Sequence, residues 1–300
     1  MNRAQRLQTL IHDPNSFVVL PGVADALTAI LAERAGFEAL FLTGAGIANL
    51  HFGMPDLGLL SLQEVVDRVR PICRAVEAPV LVDADTGFGN ALSVVRTVRA
   101  LEEAGASGIM LEDQLSPKRC GHFEGKQVVE LEEMLQKIRA FRYARRDPDL
   151  VLLARTDALA VHGLDEALRR IDAFAEAGAD LAFVEAPTSL DQLRAIPKAT
   201  RIPAVANMVE GGKTPLCSAE ELRAMGFKGV IFANLSLRVA GAAVLEALQE
   251  LRRTGTTAGL YDRMLSWTDR QELVGLSRLE ALGDFLATGT PPTSEICEHL

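Results

Sequence analysis

Asp83 and Asp85, in "VDADTGFGN" (82–90), stand two residues apart at the end of an apolar run, where extended backbone would turn both carboxylates to one side. Such neighbours repel one another unless a cation lies between them. Oxygen donors with no accompanying histidine cluster suit Mg2+ or Mn2+ better than zinc. Glu112, closing "GIMLE" (108–112), and Asp56, in "GMPDLG" (53–58), are further donors, directly or through water. The competing use of these residues is structural, one aspartate capping the helix that follows.

Beyond Glu112 comes "PKRCGHFEGK" (117–126), with a thiol, an imidazole, three cations and two glycines in ten positions. Lys118, Arg119 and His122 beside Cys120 favour the thiolate near neutral pH. Gly121 and Gly125 let the stretch move as a lid. A thiol on a lid can give or take a proton once substrate is enclosed, which makes Cys120 a catalytic candidate with Lys118 and His122 beside it; the competing reading is a chance surface thiol. In "TGAG" (43–46), Thr43, Gly44 and Ala45 can turn successive backbone N–H groups toward a carboxylate or phosphoryl anion. Arg155, in "LLARTDA" (152–158), offers a fixed fork of donors to the same anion. Glu185 and Asn207 close two more apolar runs.

These residues need a scaffold that brings strand ends together. Eight short apolar or β-branched runs, at 17–20, 39–43, 79–83, 108–112, 150–155, 181–185, 204–207 and 229–233, alternate with segments of helical spacing. The pattern predicts a parallel sheet covered on both faces. "LEEAGASGIMLED" (101–113) and "FAEAGADLAFVEA" (174–186) repeat one unit 73 positions apart, about the length of two β/α units of a barrel. We therefore expect a single domain over 1–300, an α/β (β/α)8 TIM-type barrel from about 17 to 250, followed by extra C-terminal helices over about 251–300; a doubly wound sheet is the alternative. In a barrel the chemistry sits at the carboxyl ends of the strands, where all the residues above fall.

Composition narrows the partners. Forty acids against 31 Lys and Arg give a net charge of −9, and no dense basic run is present, so nucleic acid and anionic membranes are poor partners and a small molecule is the better one. No window of about twenty residues is free of charge, and the N-terminus lacks an apolar stretch of signal-peptide length, which predicts a cytoplasmic protein. Cys73, Cys120, Cys217 and Cys297 lie far apart with no C-x-x-C pair, against both a disulfide framework and a thiolate zinc site.

Over nearly its full length the chain resembles the isocitrate lyase and phosphoenolpyruvate mutase superfamily, in "TGAG", "MPDLG", "LVDADTGFGN", "LEDQ", "PKRCGH", "LLARTDA", "FVEAP" and "ANMVEGGKTP". "KRCGH" is similar to the loop of its carbon–carbon lyases, which act on 2-methylisocitrate and 2-alkylmalates and use the cysteine as acid/base. The resemblance implies a Mg2+ (or Mn2+) site at Asp56, Asp83, Asp85 and Glu112, partly through water. It implies that Thr43, Gly44, Ala45, Asp83 and Arg155 hold the 2-oxo-acid part of a small carboxylate substrate, with Glu185 and Asn207 lining the second fragment. A homotetramer, a dimer of dimers with the last barrel helix swapped between neighbours, is implied as well. Phe41 stands where methylisocitrate and isocitrate lyases have a tyrosine, and "MVEGG" (208–212) carries few hydroxyls, which counts against a strict isocitrate lyase and leaves alkylmalate-type substrates open. The expected reaction is metal-assisted cleavage of a 2-hydroxy di- or tricarboxylate to a 2-oxo acid and a carboxylic acid. Carboxyphosphoenolpyruvate phosphonomutase or oxaloacetate hydrolase chemistry on the same site is the alternative, and a sensor that keeps the barrel without turnover is a third reading.

Overall fold

The computed structural model describes residues 1–121 and 123–289. Its strands are β1 (Val18–Val23), β2 (Leu40–Leu42), β3 (Val80–Asp83), β4 (Gly108–Glu112), β5 (Val151–Thr156), β6 (Leu181–Val184), β7 (Val205–Asn207) and β8 (Gly229–Phe232). The α-helices are α1 (Arg3–His12), α2 (Ala26–Arg34), α3 (Gly44–Phe52), α4 (Leu62–Ala75), α5 (Ala91–Glu103), α6 (Leu131–Ala144), α7 (Ala158–His162), α8 (Leu164–Ala177), α9 (Leu190–Ala195), α10 (Ala219–Met225), α11 (Leu235–Thr254), α12 (Trp267–Leu273) and α13 (Leu276–Thr288). All strand pairs are parallel, in the order β6-β5-β4-β3-β2-β1-β8-β7. A parallel bridge between Ala182 and Ala204, with the Ala182 N–H donating to the Pro203 carbonyl at 3.0 Å, joins the two ends and closes the (β/α)8 barrel.

Alternation along the strands sorts the apolar side chains into two cores. Leu20, Phe41, Leu81, Met110, Leu153, Phe183, Val205 and Ile231 fill the barrel, and Leu7 and Ile11 of α1 join them beside the strand starts Val18, Val151 and Leu181. The larger core lies between strands and helices, built from residues such as Leu42, Val82, Leu111, Ala154, Ile138 and Phe174. Both mouths of the cylinder are thereby defined: apolar packing at the amino ends of the strands, polar residues at the carboxyl ends.

Helix starts follow local chemistry. Ser61 with Glu64 and Ser218 with Glu221 form reciprocal capping boxes at α4 and α10, and the Asn90 side chain accepts from the Leu92 and Ser93 N–H groups at α5. Asn90 is therefore the cap of the helix after β3, which removes the structural reading of Asp83 and Asp85.

β1 runs on to Val23, three residues beyond the expected stop at Leu20, because pairing with β8 (Pro21 opposite Phe232) and β2 (Gly22 opposite Phe41) carries the strand through a Pro-Gly pair that would otherwise end it. Gly22 is required there: a Cβ would stand 2.0 Å from the Ala233 carbonyl oxygen. Gly22→Ala is expected to destabilise the protein by roughly 1–3 kcal/mol or more through overpacking against backbone, read as the shift in urea midpoint; an unchanged midpoint would contradict this packing.

The chain divides into two compact units, Met1–Val239 and Ala240 onward. In the second, Arg263 pairs with Glu246 at 2.8 Å and Arg270 stacks over Trp267 at 4.2 Å. Helix α11 has no buried residue, and Val244, Leu245, Leu248 and Leu251 on it are exposed. No helix among the described residues is long and apolar enough to cross a membrane.

Candidate active site

One cavity at the carboxyl mouth is lined by Thr43, Ala45, Asp56, Asp83, Lys118, Cys120, Arg155, Glu185 and Asn207, together with Phe41, Met110, Phe183, Val209 and Ile231. Residues from the ends of seven β/α units thus meet, and Cys120 is among them. Its volume, about 40 Å³, holds a water or two. A dicarboxylate is larger than this volume. A larger hollow of about 370 Å³, lined by Asp85, Thr86, Arg96 and Lys118, contains neither Cys120 nor Arg155.

The loop is clipped at its base. Gln114 and Val128 form an antiparallel bridge, and the Leu115 N–H donates to the Gln127 carbonyl at 2.9 Å. Within it the Gln114 amide grips the Arg119 backbone, accepting from its N–H at 3.0 Å and donating to its carbonyl at 2.9 Å. Cys120 is half-buried, while Arg119 is exposed, its guanidinium donating to the Glu124 carbonyl at 3.4 Å. His122 lies outside the described residues.

Asp83 ends β3, but Asp85 is not reached by extended alternation as the sequence suggested. The chain turns, Asp85 adopts a left-handed φ of 47°, and its N–H donates to Asp83 Oδ1 at 3.0 Å. That backbone costs free energy in a non-glycine residue, a form of strain that concentrates at functional sites. The Glu112 N–H donates to the Asp85 carbonyl at 2.9 Å, tying this turn to the end of β4. Lys118 Nζ sits among the acids: it pairs with Asp56 and lies 2.9 Å from Asp85 Oδ1. Burial pushes the Lys118 ammonium down, but Asp85, Glu112 and Asp56 outweigh it and hold the group well above the usual lysine range. Burial, opposed by Lys118 and helped by Asp83 and Asp56, pushes Asp85 up to about 7. Lys118 thus faces carboxylates, a different setting from the thiol-activating one expected of it.

"TGAG" proves to be a helix start. Thr43 caps α3, its hydroxyl accepting from the Gly46 N–H at 3.3 Å, while the Gly44 N–H donates to Asp83 Oδ2 at 3.4 Å, so this helix start lies at the mouth beside Asp83. A Cβ on Gly44 would stand 3.2 Å from Asp83 Oδ2 and 3.5 Å from Asp85 Oδ1, which places this helix start against the acidic pair.

Arg155 is more heavily engaged than a free clamp. Its fork meets Asp157 (Nε–Oδ2 2.9 Å, Nη2–Oδ1 3.1 Å), Glu185 (Nη1–Oε2 2.9 Å) and Glu112 (Nε–Oε2 3.3 Å), and it lies 5.3 Å above the Phe183 ring. Burial pushes Asp157 up, but Arg155 outweighs it and holds the carboxyl below its usual range. Sequence reasoning left Asp157 without a role and missed Lys126, whose ammonium also meets Asp157, at 3.0 Å. The only signal for Asp157 was its i, i+2 relation to Arg155 at a strand end.

The donor set fits a hard divalent cation in one particular form. Glu112 Oε1 is buried and has no hydrogen-bond partner, and Glu112 is pushed well above its usual range, chiefly by burial. Among the described residues no three acids, histidines or cysteines converge at ligand spacing. Mg2+, which keeps several waters and takes one or two carboxylates directly, suits such a loose ring better than a closed protein cage.

A family model, phosphoenolpyruvate phosphomutase, matches residues 7–252. The chain belongs to the phosphoenolpyruvate mutase family. Within this family and its relatives the chain is 43% identical to the 2,3-dimethylmalate lyase of Eubacterium barkeri over 96% of this chain and all of that one. It is 44% identical to a 2-methylisocitrate lyase of Aeropyrum pernix, covering 88% and 84% of the two. Solved structures agree: a crystal structure of 2,3-dimethylmalate lyase superposes with a TM-score of 0.89 at 37% identity, covering 96% of each chain. An oxaloacetate acetylhydrolase complex with 3,3-difluorooxalacetate matches at 0.89 and 36%, over 97% and 98% of the chains, and a phosphonopyruvate hydrolase complex with oxalate and Mg2+ at 0.85 and 32%, over 95% and 99%.

Proposed function

We propose that the protein is a Mg2+-dependent carbon–carbon lyase that cleaves a 2-hydroxy dicarboxylate of the 2-alkylmalate type to a 2-oxo acid and a carboxylic acid. One observation carries the reading: Cys120, on the loop that follows β4, lines the same small cavity as Asp83, Asp56 and Arg155. The likeness in sequence and structure to 2,3-dimethylmalate lyase, over 96% of this chain, supports it.

Asp85 and Asp83, with Asp56 and Glu112 through water, would hold the cation. When bound it supplies Lewis-acid chemistry, polarising the substrate's 2-hydroxyl and adjacent carboxylate. The residues of the chain do the rest. Amides at the start of α3, with the Thr43 hydroxyl, receive the carboxylate of the nascent 2-oxo acid. Breaking C2–C3 sends its electron pair to C3 and the carboxylate attached to it, and the charge developing there is met by Lys118 and Arg155. Cys120 enters as the thiol and gives its proton to C3; the 2-hydroxyl proton passes to solvent, and solvent reprotonates the Cys120 thiolate, so the proton count balances. Glu185 and Asn207 border the departing fragment. Phe41, Met110, Phe183, Val209 and Ile231 offer that fragment an apolar wall, which suits an alkyl group over a further carboxylate.

A panel of 2,3-dimethylmalate, 2-methylisocitrate and oxaloacetate with Mg2+ and a coupled 2-oxo-acid assay tests the proposal. Release from 2,3-dimethylmalate first is expected; oxaloacetate consumed while both hydroxy acids persist would favour hydrolase chemistry, which the oxaloacetate acetylhydrolase likeness keeps as the second reading. Asp85→Ala is expected to abolish Mg2+-linked binding of oxalate, a planar mimic of the oxo-acid enolate; a calorimetric trace that still showed it would remove Asp85 from the ligand set. The same proposal includes a single functional domain over 1–300, a homotetramer with α11 swapped between neighbours, and a cytoplasmic location. The exposed apolar residues of α11 support the assembly, and light scattering at the mass of one 32.3 kDa chain would contradict it.

A further inference from the structure

We infer that Lys126 is a positioning residue: its ammonium latches the Cys120 loop to the arginine clamp through Asp157. Lys126 belongs to the loop itself, near its clipped base, yet its side chain is only 2% exposed and the Asp157 side chain is fully buried. An ammonium in that setting is tolerated when it is paired. Two partners pair it: Asp157 Oδ1, at 3.0 Å, and the carbonyl of Gly121, the residue next to Cys120. Asp157 Oδ1 also accepts from Arg155 Nη2 at 3.1 Å, so one carboxylate oxygen serves both the loop lysine and the clamp.

Gly121 is fitted to that seat. A Cβ there would stand 2.5 Å from Glu185 Cδ and 2.7 Å from Arg155 Nη2, so the bare backbone of the loop rests on the Arg155–Glu185 pair. When the loop lifts, Gly121 leaves the pair and Lys126 loses its carbonyl acceptor; when it settles, the charge-assisted hydrogen bond is restored and Cys120 is drawn over the cavity. Of the loop's other ties, Glu124 with Lys213 is exposed and contributes little, while Lys118 with Asp56 and Asp85 anchors the side of the loop that faces the acids. Lys126 thus makes closure of the thiol-bearing loop depend on the arrangement of Arg155.

The effect on turnover rests on the lyase reading, whereas the latch itself is read without turnover. The rate at which iodoacetamide alkylates Cys120 at pH 8, measured on the Cys120 peptide with and without Mg2+ plus oxalate, reports loop closure. Cys73 serves as the internal reference, because burial pushes its thiol up to about 12. Lys126→Met is expected to raise Cys120 alkylation at least about tenfold, as loss of a charged hydrogen bond does, and to abolish protection by Mg2+ and oxalate. Its kcat for 2,3-dimethylmalate should fall with KM changed less than about threefold, since loop closure, not substrate contact, is lost. Gly121→Ala, acting from the loop side, should expose Cys120 equally. Should Lys126→Met not fold, Lys126→Gln is measured in its place with the same expectation. A folded variant whose Cys120 alkylates within about twofold of wild type overturns the latch, since the charged bond would then contribute nothing. A wild type that cleaves no 2-hydroxy acid while Lys126→Met still exposes Cys120 sinks the lyase reading and leaves the latch standing.

Discussion

Cys120→Ser is expected to lower kcat for 2,3-dimethylmalate at least about a hundredfold, the range lost with a positioned proton donor, while thermal midpoint and Mg2+-linked oxalate binding stay at wild-type values. The asymmetry follows from where the residue sits. Cys120 is half-buried on a loop clipped at its base, outside both apolar cores, so exchanging sulfur for oxygen leaves the barrel's packing untouched. It lines the cavity with Asp83 and Arg155, so in the proposed mechanism the same exchange removes the acid from the reacting carbon. Serine keeps the shape and a hydrogen-bonding hydrogen but holds its proton far more tightly than a thiol. Equal kcat in the two proteins would take Cys120 out of the mechanism.

Arg155→Met should damage both stability and catalysis. Glu112, Asp157 and Glu185 have side chains at most 1% exposed, and all three lie on the Arg155 fork. Without it they form a buried cluster of carboxylates that keeps Lys126 on Asp157 and Lys118 near Glu112 but loses the one cation all three share, and loss of one partner from a buried ion pair costs about 3–5 kcal/mol. At about 2–4 °C per kcal/mol for a domain of this size, the thermal midpoint should fall by roughly 10 °C. Catalysis should fall by about 10²–10³ in kcat/KM as the charge facing the developing enediolate disappears. Arg155→Lys is expected to recover stability better than activity, because an ammonium restores charge without the fork that meets three acids at once. Calorimetric melting beside steady-state kinetics separates the effects; a melting temperature within about 2 °C of wild type for Arg155→Met would show that the three acids do not depend on it.

Much of this arrangement was legible in the sequence because strand periodicity and barrel topology together decide which residues share a rim. Thr43, Asp83, Glu112, Arg155, Glu185 and Asn207 close β/α units that the apolar runs mark clearly, and a parallel closed sheet leaves their ends no other place to meet. What stayed hidden depends on pairing across the fold. Asp157 and Lys126 are 31 residues apart, and nothing in spacing says that a lysine on a polar loop will be drawn into the interior. The left-handed turn at Asp85 was invisible for a related reason: alternation predicts extended backbone until tertiary hydrogen bonds, here from Glu112, fix another conformation. The run at 17–20 misled in the opposite direction: it stops before Pro21 and Gly22, which neighbouring strands on both sides hold in the sheet. Lys118 shows the limit of reading charge from neighbours in sequence, since its ammonium answers to Asp56 and Asp85 across the mouth.

Following 2,3-dimethylmalate by NMR in D2O with the protein and Mg2+ puts cation-assisted cleavage between C2 and C3, with protonation of the released fragment by Cys120, to a direct test. Pyruvate is expected together with propionate carrying one deuteron at C2 in a single configuration, both signals absent when the divalent cation is chelated. Unchanged 2,3-dimethylmalate and 2-methylisocitrate, alongside conversion of a phosphonate substrate by the same preparation, would contradict it.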